Sequence, residues 1–150
     1  MSFQPLNPDF ETRVRSSFAR QRAMELIGAR IARVEPGRVE IELPVRDDLG
    51  QQHGFVHGGV VGMIADSAGG YAAFTLMPAD ASVLTVEYKL NMLAPAEGDR
   101  LVARGEVLKP GRSLSVVRAD VWAYSDGRET RVAAMQQTLM VMHGTPDERI

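Results

Sequence analysis

From Val60 to Met77 the chain carries one charged residue, Asp66, in a run that is otherwise apolar or small. The run approaches the length that spans a bilayer. Asp66 argues against that fate, because a carboxylate near a bilayer centre costs roughly 3 kcal/mol on insertion scales. Five glycines between Gly58 and Gly70, and the lack of closely flanking Lys or Arg, argue the same way. The run therefore reads as a helix from about Gly58 to Met77, ended by Pro78 and buried on nearly all sides, in a chain that does not enter a membrane. Gly62, Ala65, Ala68, Gly69, Gly70 and Ala72 let strands approach closely. That packing offsets a loss of helix propensity of about 1 kcal/mol per glycine.

A helix that is apolar all round needs cover, and the flanking sequence supplies strands. Val39, Ile41 and Leu43 alternate with Arg38, Glu40 and Glu42. Ala29 to Pro36 precedes them across a Pro36-Gly37 turn, so the two runs form a hairpin. After Pro78 the period is two: Val83 to Leu93, Arg100 to Leu108, Ser113 to Tyr124 and Glu129 to Met142. Asp126-Gly127 between the last two is a strong hairpin signal. The expected fold is α+β, a curved antiparallel sheet wrapped around a central buried helix, with the last four strands in a meander. Asp9 to Gly28 reads as an extra N-terminal helix, Phe10, Val14 and Phe18 on one face and Arg13, Arg15, Arg20 and Arg22 on the others. The expected division is residues 1–28 as a helical extension, 29–142 as the domain, and 143–150 as a frayed tail.

Composition removes several function classes. Seventeen Lys plus Arg against nineteen Asp plus Glu leave a net charge of -2, so no basic footprint for nucleic acid exists. One short helix with four arginines is not a helix-turn-helix, and those arginines read as a solvated face. The absence of cysteine excludes disulfides, thiolate metal sites and a cysteine nucleophile. It fits a reducing cytosol, and residues 1–10, with Pro5, Pro8 and Asp9, lack the apolar core of a signal peptide. A cytoplasmic location is the expectation.

The chemistry concentrates in Gln51 to Gly59 and in Asp66. Two glycines at a helix start expose backbone N–H groups, and the helix dipole adds partial positive charge, a ready site for a polarised carbonyl oxygen. Asp66 lies about two turns into the apolar helix, where a carboxylate needs partners or a task. Singly, Gly58-Gly59 reads as a tight turn, His57 as a cap and Asp66 as a satisfied core residue; together they point to a site. His53 and His57, with His143 and Asp66, make a poor metal set because Gly54 interrupts any helix aligning the two histidines, so no metal is expected. Ser67 half resembles a nucleophile elbow but has no strand or turn before it.

His57-Gly58-Gly59, followed by Asp66 in Ile64-Ala65-Asp66-Ser67-Ala68, resembles the signature of hotdog-fold acyl-CoA thioesterases of the PaaI type. The likeness continues through Thr85 to Ala96 and through Gly111-Arg112, covering roughly residues 26–142. The resemblance implies hydrolysis of acyl-CoA thioesters, coenzyme A being part of the substrate and no cofactor being needed. It assigns Asp66 as the catalytic carboxylate, the Gly58 N–H as the group that polarises the carbonyl, and His57 as the orienting neighbour. Gln51 stands where many members have Asn, and Thr85 where some have Ser to hold the water. It also implies a homo-oligomer, a dimer of dimers with sheets joined edge to edge. Gln51, His57 and Gly58 would come from one subunit, Asp66 and Thr85 from the other.

For the coenzyme A phosphates, Arg112 in its Gly111-Arg112 turn ranks before Lys89 and Lys109, which read as ordinary surface charges. Gly59, Phe55, Val61, Ile64, Met92 and Leu93 are the remaining candidates for contacting substrate. The chemistry is economical: a thiol of pKa near 8.5 leaves as thiolate without a general acid, so one carboxylate and one oxyanion cradle suffice. Whether Asp66 activates water or attacks the carbonyl stays open at this stage. Two other readings stand beside hydrolysis: a hydroxyacyl dehydratase pairing His57 with Asp66, and a module that binds or senses acyl-CoA without cleaving it.

Overall fold

A computed structural model describes residues 2–148. The apolar run is a helix, α3 (Gly58–Phe74), preceded by α1 (Phe10–Ala19) and α2 (Arg22–Ile27). Around α3 curves one antiparallel sheet of β1 (Arg30–Glu35), β2 (Arg38–Pro44), β3 (Ser82–Met92), β4 (Arg100–Lys109), β5 (Leu114–Ser125) and β6 (Arg128–Met142). Val61, Ile64, Ala65, Ala68, Ala72 and Phe74 of the helix are completely buried. The sheet touches the helix backbone directly at Gly105 of β4, where a Cβ would stand 2.7 Å from the Gly69 nitrogen. Among the described residues no helix is long and apolar enough to cross a membrane.

The sheet order is β1-β2-β4-β5-β6-β3. The expected four-strand meander thus holds only for β4, β5 and β6. The cause lies in the connectors. Asp126-Gly127 is a tight turn that forces β5 and β6 together, whereas the longer link from Leu93 to Asp99 carries the chain from the edge strand β3 back to β4 beside β2. β3 pairs with β6 and contains a bulge: Thr85 opposes Leu139 and Glu87 opposes Thr138, leaving Val86 outside the ladder. Its other edge has no partner strand among the described residues.

The single N-terminal helix expected is two helices. The break falls at Gln21 (φ -83°, ψ 89°), which turns α2 so that Met24 and Ile27 are buried. Gly28, at φ 80°, ends α2 in the left-handed conformation glycine adopts freely. Arg13 is not part of a solvated face. Its Nη2 donates to the carbonyls of Phe74 and Met77, 3.0 Å each, and its guanidinium lies 4.0 Å from the Phe74 ring centroid. It thereby caps the negative end of α3, which stops at Phe74 rather than Met77. Burial draws the Arg13 pKa down from its usual value, opposed by Asp147 and Asp80.

Two side chains of the tail contact the rest of the chain. Arg20 Nη2 meets Asp147 Oδ2 at 2.7 Å, and His143 Nε2 donates to the Arg112 carbonyl at 2.7 Å. Residues 149–150 of the expected tail lie outside the described residues.

Candidate active site

The start of α3 is built by a loop that folds back on itself. Gln51 N–H donates to the Phe55 carbonyl, Val56 N–H to that of Ala96 and His57 N–H to that of Leu49, at 2.8, 2.8 and 2.9 Å. His57 is the N-cap, and its ring Nδ1 accepts from the Gly59 N–H at 2.8 Å. The Val60 and Val61 N–H groups reach the His57 carbonyl, at 2.9 and 3.1 Å. Of the donors in this first turn, only the Gly58 N–H has no partner among the described residues. It sits at the positive end of the helix dipole. The Gly59 N–H, by contrast, is already committed to the His57 ring. A cleft of about 390 Å³ is lined here by Gln51, Phe55, Gly58, Met92 and Leu93 among others. Gln51 Oε1 accepts from the His53 N–H, and the Gln51 amide nitrogen has no partner among the described residues.

Asp66 lies elsewhere. It is half-buried on the side of α3 that faces β3 and β6. Thr85 Oγ1 donates to Asp66 Oδ1 at 2.8 Å, and Gln137 Nε2 donates to the same oxygen at 2.9 Å. Gln137 Nε2 also lies 3.4 Å from the Asp66 carbonyl oxygen. Both neighbours are acceptors, so the amide must present its NH₂ to them. Asp66 Oδ2 has no hydrogen-bond partner among the described residues, and Asp66 borders a chamber of about 450 Å³ that Ser17 of α1 and Arg20 and Gln21 of the link between α1 and α2 help to enclose.

Gln137 is 1 % exposed and was missed by sequence reasoning. Its signal was present. Ala133, Met135, Leu139 and Val141 share its phase on β6 and are all buried, which makes Gln137 the one polar residue on that inward row. Gly69 makes room for it, since a Cβ at 69 would overlap Gln137 Oε1.

The candidate residues therefore fall into separate groups. Gln51, His57, Gly58, Phe55, Met92 and Leu93 gather at the helix start, Asp66 and Thr85 at the chamber. Gly58 and Asp66 are eight residues apart on one helix, about 12 Å along its axis, too far to act on one carbonyl within a chain. Val61 and Ile64 point into the core, 0 % exposed, and do not line either space. Gly111 and Arg112 border a third cavity of about 370 Å³ beside Leu76, Met77 and Pro78, past the other end of α3. Lys89 and Lys109 are exposed. Ser67 Oγ donates to Gln21 Oε1 at 3.1 Å from within the helix, which is no geometry for a nucleophile elbow. No group of three potential metal ligands occurs among the described residues.

Comparison with known proteins fits this frame. The sequence profile of the thioesterase superfamily matches residues 53–130, just over half of the chain. A 1,4-dihydroxy-2-naphthoyl-CoA hydrolase of Listeria monocytogenes is 32% identical over 92 residues, 61% of this chain and 75% of that protein. The crystal structure of a thioesterase family protein from Silicibacter pomeroyi superposes with a TM-score of 0.89 at 52% identity, covering 90% of this chain and 99% of that one. The E. coli PaaI protein from the phenylacetic acid degradation operon has the same fold, with a TM-score of 0.82 at 19% identity over 93% of this chain and 98% of that one. The chain belongs to the thioesterase superfamily and is a thioester hydrolase of the hotdog fold.

Proposed function

We propose that the chain hydrolyses acyl-CoA thioesters to the free acid and coenzyme A, at a site completed by two copies of the chain. One observation carries this reading: the unpartnered Gly58 N–H and the clamped Asp66 carboxylate are the two groups the reaction needs, and one chain holds them about 12 Å apart. A second copy, two-fold related and antiparallel, brings the helix start of one protomer to the carboxylate of the other.

Asp66 Oδ1 is held by Thr85 and Gln137, which leaves Oδ2 to take a proton from water. The water oxygen bonds to the thioester carbon, and the Gly58 N–H receives the negative charge that develops on the carbonyl oxygen. The C–S bond then breaks, the thiolate leaves, and the proton on Asp66 returns to the sulfur or to solvent. Gln51, with its amide nitrogen free, contacts the carbonyl or the water; Phe55, Met92 and Leu93 line the approach. Arg112, exposed at its turn, is the cation proposed for the coenzyme A phosphates. His57 spends its Nδ1 on capping, which disfavours it as the proton shuttle of a dehydratase.

The edge of β3 supports the pairing. Leu84, Val86, Tyr88 and Met92 are each about half exposed along an edge strand of eleven residues whose outer edge has no partner among the described residues, a surface natural proteins cover. Leu108, Leu114 and Met140 form a second exposed apolar set on the outer face, to which the association of two such dimers is assigned.

Complementation tests the reading. Asp66→Asn loses roughly 10²–10⁴-fold in turnover. Gly58→Pro removes the N–H at a position where helices accept proline, and His57 already has the extended backbone a following proline requires (ψ 135°). Each variant alone is nearly inactive. Mixing the two and allowing subunit exchange restores activity, because a hybrid dimer holds one intact site. Hybrids seen by native mass spectrometry that release no coenzyme A would sink the shared site.

A further inference from the structure

We infer that Tyr88 of β3 is a positioning residue for hydrolysis. It stands at the two-fold axis of the shared site, against the partner's Tyr88, and sets the spacing at which each helix start meets the opposite carboxylate. This rests on the shared site proposed above and adds a residue to it.

The position follows from symmetry. In the shared site Gly58 of each helix lies beside Asp66 of the other. An axis that exchanges the two pairs passes α3 at the midpoint of these positions, Gly62, four residues and about 6 Å from each. Gly58, Gly62 and Asp66 follow at four-residue steps, so they share one side of the helix. Two side chains of β3 reach that midpoint. A Cβ on Gly62 would stand 3.5 Å from Leu90 Cδ2 and 4.0 Å from the Tyr88 hydroxyl oxygen. The bulge at Val86 puts them there, because it moves the inward phase of the strand from Thr85 to Tyr88.

Of the two, Leu90 is packed against the core and Tyr88 is half exposed, so Tyr88 is the one left for a second copy to cover. On its inner flank Tyr88 opposes Gln137 across the β3–β6 ladder. Directly opposed side chains on one face have Cβ atoms about 5 Å apart. The ring therefore stands between the open edge of the sheet and the buried amide that holds Asp66. A second copy encloses the ring from the other side. A phenol has only two side-chain torsions, which makes it a stiff spacer whose bulk, rather than its hydroxyl, sets the separation.

The chain has no cysteine, so a single introduced cysteine can form a disulfide only with its own symmetry mate. Residues opposed across an antiparallel pair have Cα atoms about 4.5–5.5 Å apart, within disulfide reach. Each residue away from the axis adds about 7 Å to the separation of the two copies. Under oxidation, at least one of Tyr88→Cys, Lys89→Cys and Leu90→Cys should give a covalent dimer, and Leu84→Cys and Met92→Cys should give none. The spacer role is read from kcat and KM at a concentration where sedimentation shows dimer. Tyr88→Phe should keep kcat within about twofold, and Tyr88→Ala should lose about tenfold to a hundredfold in kcat with a smaller change in KM. Covalent dimers from position 84 or 92 in place of 88–90, a Tyr88→Ala protein with unchanged kcat, or a Phe variant as impaired as the Ala variant overturns the inference. Any of these, with Asp66→Asn and Gly58→Pro still complementing, leaves the shared site standing; failed complementation overturns both.

Discussion

Gln137 Nε2 donates to Asp66 Oδ1 across 2.9 Å, and the contact depends on residue 69 being glycine, because a Cβ there would occupy the place of Gln137 Oε1. The carboxylate is thus held from behind by a buried amide and from the side by Thr85. Gly69→Ala should cost about 1–3 kcal/mol by overpacking and push the amide off Asp66, lowering kcat more than it raises KM. Adding Gln137→Ala relieves the overlap. The double variant should recover part of the lost melting temperature and none of the lost kcat, which separates the amide's role on Asp66 from a role in stability.

Arg13 should behave as a structural cap with no part in turnover. Arg13→Met strips the partners from the Phe74 and Met77 carbonyls, and the expected loss is about 2–3 kcal/mol in urea unfolding. Arg13→Lys should recover little of it, because a single ammonium cannot reproduce the planar fork.

Alkaline pH should destabilise the fold partly through Tyr71. Burial holds its phenol above the ordinary value of 10.0. Above about pH 10 the unfolded chain releases that proton while the folded chain keeps it, so the unfolded state binds fewer protons and stability falls as pH rises. Tyr71→Phe should show a shallower loss between neutral and alkaline pH in thermal melts. An identical slope in both proteins would remove Tyr71 from the account.

The edge of β3 should control assembly. Val86→Lys places a charge on the exposed edge strand. Sedimentation at micromolar concentration should shift toward monomer, and coenzyme A release should fall although Asp66, Thr85 and Gln137 are untouched. A fully active monomer would show that one chain suffices.

Local features were legible in the sequence and long-range ones were not. The α3 run, the Gly28 stop and the Asp126-Gly127 hairpin were readable because composition and neighbours a few residues away decide them. The place of β3 was not, since its partner β6 lies beyond two intervening strands and no turn signal points to it. Arg13 looked like one more surface arginine because its partner Phe74 is 61 residues away. The Thr85–Asp66 contact joins two residues named by the resemblance, whereas Gln137 needed the inward phase of β6 to stand out. Val61 and Ile64 look alike as pocket or as core in a sequence, and only packing separates them.

The bulge at Val86 makes β3 two segments spliced out of step. Upstream, Thr85 faces the helix; downstream, Tyr88 and Leu90 do, while Glu87 and Lys89 turn away. Deleting one residue at the splice would act as a frameshift in space. Either Thr85 would swing off the carboxylate, or Glu87 and Lys89 would be driven against α3. Length variation between relatives of this chain should therefore gather in the connectors and avoid position 86, and a library of single-codon deletions scored for folding would draw that boundary to the residue.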